Sequence, residues 1–164
     1  MFLYEKSRRL KVHFGPELWD KYGAYRAPIA LSFTFLILLR TYIIWIFSAV
    51  SRRPDLDLMS LFYRNKNDFF IALIIGTLAL LPAVIFSLRR PNSNPKLAKL
   101  WKFMKAPLIL CCLLDLAWLL IQAKSHYFQF SGFLAIQLLL VSWVLFYLLR
   151  SKYLPIFFND WPTK

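Results

Sequence analysis

Residues 28–50 read PIALSFTFLILLRTYIIWIFSAV, and residues 107–123 read PLILCCLLDLAWLLIQA. Each is a long apolar run with a single charge near its middle, Arg40 in the first and Asp115 in the second. Hydrocarbon penalises a buried charge, so an ionisable side chain in such a run signals a structural or functional role. Two further runs, residues 69–88 and 130–149, complete a set of four. The four contain 23, 20, 17 and 20 residues. At a rise of about 1.5 Å per residue they cover roughly 34, 30, 26 and 30 Å, against a hydrocarbon core of about 30 Å. The reading is an all-α integral membrane protein, a four-helix bundle with one short third span.

Composition agrees with that class. Of 164 residues, 59% are hydrophobic, where a soluble domain would carry about half and disperse them in helix or strand periods. Four spans and their connections use the whole length, which predicts a single membrane domain (residues 1–164) without a soluble catalytic unit. The chain has 21 Lys and Arg against 8 Asp and Glu, a net charge of +13. In a soluble protein that excess would suggest nucleic acid. Here the basic residues gather at the ends of apolar runs, so anionic lipid head groups are the simpler partner and no nucleic acid is expected. The first 26 residues mix charges and aromatics without a short apolar core and a small-residue cleavage site, so no cleavable signal peptide is expected.

Orientation follows from the loops. The N-terminal segment (Lys6 to Arg26), the connection between the second and third runs (Arg89 to Lys105) and the tail (Arg150, Lys152, Lys164) together hold fifteen basic residues. The other two connections hold five: Arg52, Arg53, Arg64, Lys66 and Lys124. The positive-inside rule then places both termini in the cytoplasm, with multiple crossings.

Three flanking segments carry their own signals. Residues 96–105, KLAKLWKFMK, set Leu97, Leu100, Trp101 and Met104 at helical spacing, with Lys96, Lys99, Lys102 and Lys105 around them. That pattern predicts a short basic amphipathic helix on the membrane surface, its lysines on lipid head groups. The stretch Leu56 to Tyr63 is too short to span and is expected on the opposite interface. The tail aromatics Tyr153, Phe157, Phe158 and Trp161 look like an interfacial anchor.

Each run also carries one polar residue near its middle: Arg40, Thr77, Asp115 and Gln137. Counted from the same side of the bilayer, their depths are roughly 15, 12, 12 and 11 Å. A single intramembrane polar layer is therefore expected. On an insertion scale a central Arg or Asp costs about 2.5–3.5 kcal/mol, while each Leu, Ile, Phe or Val returns roughly 0.3–0.6. The first run's 13 such residues contribute roughly 4–8 kcal/mol, so it inserts despite Arg40. A lipid-facing guanidinium would still be unfavourable, and Asp115 is the one acid within a run. An Arg40–Asp115 ion pair follows, with Thr77 and Gln137 as candidate partners for the remaining donors and acceptors.

In the second run Ala72, Gly76, Ala79 and Ala83 recur at helical spacing, a smooth stripe for close helix approach, within the chain or as a dimer seam. Pro82 could kink that helix. Cys111 and Cys112 are adjacent, poorly placed to bridge each other, and read as small core residues. His13 and His126 fall on opposite sides of the membrane under this topology, so no metal site is expected. Nor is there a glycine-rich phosphate loop, a serine elbow or a pair of acids. Neither a cofactor nor an enzyme activity is expected.

Further motifs carry a resemblance. Asp20-Lys-Tyr-Gly23-Ala-Tyr-Arg26-Ala-Pro28 leads into the run with Arg40, Ser51-Arg52 closes it, and Leu61-Phe62-Tyr63 precedes a second run containing Gly76. Over residues 18–90 above all, the chain resembles the YfeZ-like family of small bacterial inner-membrane proteins of uncharacterised function. The resemblance implies an inner-membrane location and four helices, and transfers no catalytic residue. Two functions stay open: a non-enzymatic accessory or assembly subunit held by a polar clasp, with a membrane-protein partner or a second copy; or a small transporter or channel subunit that uses the polar layer as an ion or proton path.

Overall fold

The first apolar run is not one straight rod. In the computed structural model, which describes residues 24–50, 62–63, 65–90, 95–125 and 132–162, it divides into α1 (Ile29–Leu38) and α2 (Arg40–Val50), joined at Leu39 with a bend of 62°. Helix α1 begins directly after Pro28, whose carbonyl accepts the Leu31 N–H at 2.9 Å. The break needs another cause, because residues 29–50 contain neither proline nor glycine. Arg40 supplies one. Its Nη1 turns back and donates to the Ile37 carbonyl at 3.1 Å. A side chain inserted into the backbone ladder is a recognised source of sharp kinks. A cation at the carboxyl end of α1 also meets the negative pole of that helix.

Three longer helices follow. Helix α3 (Lys66–Ser87) runs without interruption through Pro82. A short α4 (Pro95–Trp101) leads by a turn at 102–104 into α5 (Lys105–Ser125), and α6 (Gly132–Arg150) precedes a short α7 (Tyr153–Asn159). By length and composition α3, α5 and α6 can each cross a membrane, and the bent α1–α2 pair adds a fourth if it counts as one span. All the described secondary structure that gives shape to the chain is helical, as expected of segments that must satisfy their own backbone groups in lipid. Helix α5 packs between α3 and α6, α1 lies against α3 and α6, and α2 leans on α3.

The end where α1 starts and α3 finishes is here called proximal; the end where α2 finishes and α3 starts is distal. The proximal half holds the main core: Leu31, Phe35 and Leu38 of α1, Ala79 and Ile85 of α3, Leu108, Cys111 and Cys112 of α5, and Val141, Val144 and Leu148 of α6. Both cysteines are buried and free. A smaller distal cluster joins Ile44, Tyr63, Phe69 and Ala72. The glycine of the small-residue stripe has a defined use. A Cβ on Gly76 would lie 3.1 Å from the Tyr42 ring, so its absence lets α2 close on α3. Ala72 and Ala79 are buried beside it and Ala83 is half-buried.

The proximal end is closed by aromatics, and here two expectations need correction. Trp101 of the basic helix is fully buried, and its indole N–H donates to the Phe157 carbonyl at 3.2 Å. Phe158 packs on the same ring with centroids 4.7 Å apart. Phe157 and Phe158 are thus core residues and not lipid-facing anchors. The reason is the turn into α7, which folds the tail back beneath the helices and offers its rings to Trp101. Likewise α4 stops at Trp101 instead of continuing to residue 105, and Lys105 opens α5.

Polar groups fasten this cap. Arg89 Nη1 donates to the Tyr25 carbonyl at 3.1 Å, and its guanidinium lies 4.4 Å over the Phe157 ring. Its Nη2 is 3.5 Å from Asp160 Oδ2, which accepts the Tyr25 N–H at 2.7 Å. Tyr153 donates its hydroxyl to the Arg26 carbonyl at 2.7 Å, and burial pushes its phenol above the ordinary value. Three segments far apart in sequence are therefore tied at one point.

Candidate functional site

Asp115 is the eleventh residue of the 21-residue α5 and so lies at its middle. Arg40, first residue of α2, faces it because the hinge at Leu39 turns that residue toward α5. Nη1 lies 2.6 Å from Oδ2 and Nη2 2.9 Å from Oδ1, a two-pronged pair. The side chains are only 13% and 7% exposed. Fork geometry of this kind engages both carboxylate oxygens and is stronger than a single contact. With the Ile37 carbonyl also on Nη1, the guanidinium joins the end of α1 to the centre of α5.

Two hydroxyls the sequence reading passed over lie at the same level. Thr41 Oγ1 and Tyr63 Oη are 2.7 Å apart, and both residues are buried. Thr41 follows Arg40 directly, so its depth was legible. Tyr63 was not: it precedes α3 and belongs to a stretch expected at the interface, of which Leu56–Leu61 lies outside the described residues. Its ring packs edge-on against Phe69 at 5.5 Å, which draws it inward.

The other two members of the expected layer stand apart from the pair. Thr77 is exposed, and its hydroxyl meets Tyr42 Oη at 2.8 Å and donates to the Leu73 carbonyl at 3.1 Å. The helical turn that places it at the right height also points it toward α2. Gln137 is buried on α6, yet it is not among the hydrogen-bond partners of Arg40 or Asp115 in the described residues. Height alone does not specify azimuth. Gln122, two turns beyond Asp115 on α5, is a buried amide that the sequence reading did not single out.

Two buried donors, Arg40 Nε and Trp118 Nε1, have no hydrogen-bond partner among the described residues. Each oxygen of the carboxylate accepts one N–H of the fork. Chemically the arrangement neutralises two charges and joins three backbone segments. Among the described residues it holds no second acid and no histidine; His13 and His126 fall outside them. The four lysines lie elsewhere, at the proximal surface, with Lys96, Lys99 and Lys102 exposed and Lys105 half-exposed.

The apolar helices make this a helical transmembrane protein, and comparison with known proteins agrees. The chain is similar to the inner membrane protein YfeZ of Escherichia coli (strain K12), 29% identical over 105 residues, covering 64% of this chain and 67% of that protein. No solved structure matches. The profile of the family described as "Protein of unknown function (DUF2919)" spans residues 14–160, from ahead of the first apolar run to Asp160 of the proximal cap, and the chain belongs to that family.

Proposed function

We propose that this chain is a four-span inner-membrane protein with both termini in the cytoplasm, acting as a non-enzymatic accessory or assembly subunit. The bent α1–α2 pair serves as the first span, and the Arg40–Asp115 pair is a structural clasp that fixes it against α5. One observation carries the reading: both carboxylate oxygens are occupied by the guanidinium fork in a nearly closed setting. A relay group must exchange partners, whereas a clasp must hold them. The similarity to an inner membrane protein supports the location, and the basic bias supports the orientation. The partner is another membrane protein or a second copy, and the proximal lysines lie on anionic head groups.

The test is purification from native membranes in mild detergent. A second membrane protein is expected in fixed proportion, and its own accumulation should fall when this chain is deleted. Substrate-dependent flux in liposomes, lost in Asp115→Asn, would overturn the reading in favour of a transporter or channel subunit. One observation favours that rival: the first span is discontinuous beside a buried charge, a feature of transporter binding sites. It would act as an oligomer, since four helices rarely enclose a pathway alone.

A further inference from the structure

Helix α4 and the turn after it present three different faces. Trp101 and Met104 point into the protein and are buried. Leu100 and Phe103 point outward, 43% and 72% exposed. Lys99 and Lys102 are exposed between them, and Lys105 follows one turn on. A surface helix built only to lie on a bilayer would turn its apolar residues to one side. Here the largest apolar residue, Trp101, is committed to the protein, and a separate apolar pair is left beside the cations.

We propose that Lys99, Lys102 and Lys105, with Leu100 and Phe103, form a seat for one acidic phospholipid, and that its occupancy tightens the proximal cap. The proposal rests on the chain being embedded in a membrane and is independent of the accessory-subunit reading. Charge argues for the anion. Among the described residues the acids are Asp68, Asp115 and Asp160, of which Asp115 is held by Arg40 and Asp160 by Arg89. Asp68 lies in the first turn of α3, at the distal end. The two ion pairs among the described residues leave these three lysines out. The apolar pair argues for the source of the anion: a soluble phosphate would engage the lysines but leave Phe103 and Leu100 in water, whereas a phospholipid presents a phosphate and acyl chains together.

The coupling follows from covalent continuity. Lys99, Lys102 and Phe103 flank Trp101, whose indole holds the α7 carbonyl of Phe157. Fixing the outward face of this short segment restrains its inward face, and with it α7 and the Arg89–Asp160 contact.

The full-length protein is purified in dodecyl maltoside and examined with added phosphatidylglycerol, phosphatidylcholine or glycerol 3-phosphate. Native mass spectrometry is expected to retain one phosphatidylglycerol on the unaltered chain, and hydrogen exchange in Tyr153–Asn159 should slow when it binds. The variant Lys99→Gln/Lys102→Gln/Lys105→Gln should bind it roughly a hundredfold more weakly, from the loss of three surface cations. Phe103→Ser should weaken the lipid and leave any glycerol 3-phosphate binding unchanged. Lys102→Gln alone, giving an intermediate loss, guards against failure of the triple variant to fold. Equal retention by the triple variant overturns the seat. Equal protection by glycerol 3-phosphate reduces it to a head-group site and overturns the lipid assignment. Retention without slower exchange in α7 overturns the coupling. Because these readouts do not involve a protein partner, failure of the accessory-subunit reading leaves them intact.

Discussion

The two halves of the molecule are held by different means. The proximal half is a tight apolar core, closed by Trp101 and the tail and fastened by backbone contacts from Arg89, Trp101 and Tyr153. Among the described residues the distal half has a smaller core cluster, a helix turned by 62° from the one before it, and polar links beside its packing. The contrast has a physical basis. Lipid tails are as apolar as leucine, so burial of apolar surface does not by itself drive helix association in a bilayer. Cohesion comes from close packing where side chains interdigitate and from ion pairs or hydrogen bonds where they do not. The proximal half uses the first means; at the boundary with the distal half the Arg40–Asp115 fork supplies the second.

The largest expected effect tests the polar side of this contrast. Asp115→Leu leaves Arg40 buried and unpaired and should cost about 3–5 kcal/mol, seen as a loss of monodisperse protein on heating in detergent. Adding Arg40→Leu should restore most of the loss. If the double variant survives no better than Asp115→Leu, neutralisation is not what the two residues contribute.

Trp101→Ala probes the packed side, where a fully buried ring is removed at about 3–5 kcal/mol. The expected signature is spatial: faster hydrogen exchange in Tyr153–Asn159 with exchange around Arg40 nearly unchanged. Equal acceleration at both places would mean that the halves unfold as one unit, and the contrast would lose its energetic meaning.

Gly76→Val adds bulk 3.1 Å from the Tyr42 ring and should cost about 1–3 kcal/mol by overpacking. Because α2 rests mainly on α3, this change should raise susceptibility of α2 to labelling at Phe47, an exposed position suited to a cysteine probe. The smallest effect is expected from Gln137→Leu. Hydrogen bonds between membrane helices average about 0.6 kcal/mol, and Gln137 is not a partner of the ion pair. A loss as large as that of Asp115→Leu would return it to the clasp.

How much of the fold is legible in the sequence depends on the kind of information each feature needs. Apolar runs are legible because insertion depends on summed transfer energies, which are local. Opposite charges at matching depth in different runs are also legible, since a distance along a helix axis follows from counting. Rotation about that axis is not. Thr77 and Gln137 have the right heights, yet Thr77 turns to Tyr42 and Gln137 is not a partner of the pair, because the crossing geometry of α2, α3 and α6 fixes azimuth. The hinge was hidden for a related reason. No residue type marks it, and it arises when Arg40 competes for a carbonyl of its own helix while reaching a partner elsewhere. The fate of the tail was equally non-local: Phe157 and Phe158 have an anchor's composition, and only the fold back onto Trp101 makes them core.

The separation of the two clasp residues has a consequence for biosynthesis. The guanidinium and its acid are 75 positions apart in the chain, and ribosomes add about 5–20 residues per second. For roughly 4–15 seconds the newborn first helix therefore waits in the membrane with its cation unmatched, before α5 emerges. During that interval the Ile37 carbonyl, which accepts from Arg40 Nη1 at 3.1 Å, is already synthesised. The bent geometry gives the charge a temporary berth on its own strand of peptide, ready to be shared when the carboxylate arrives.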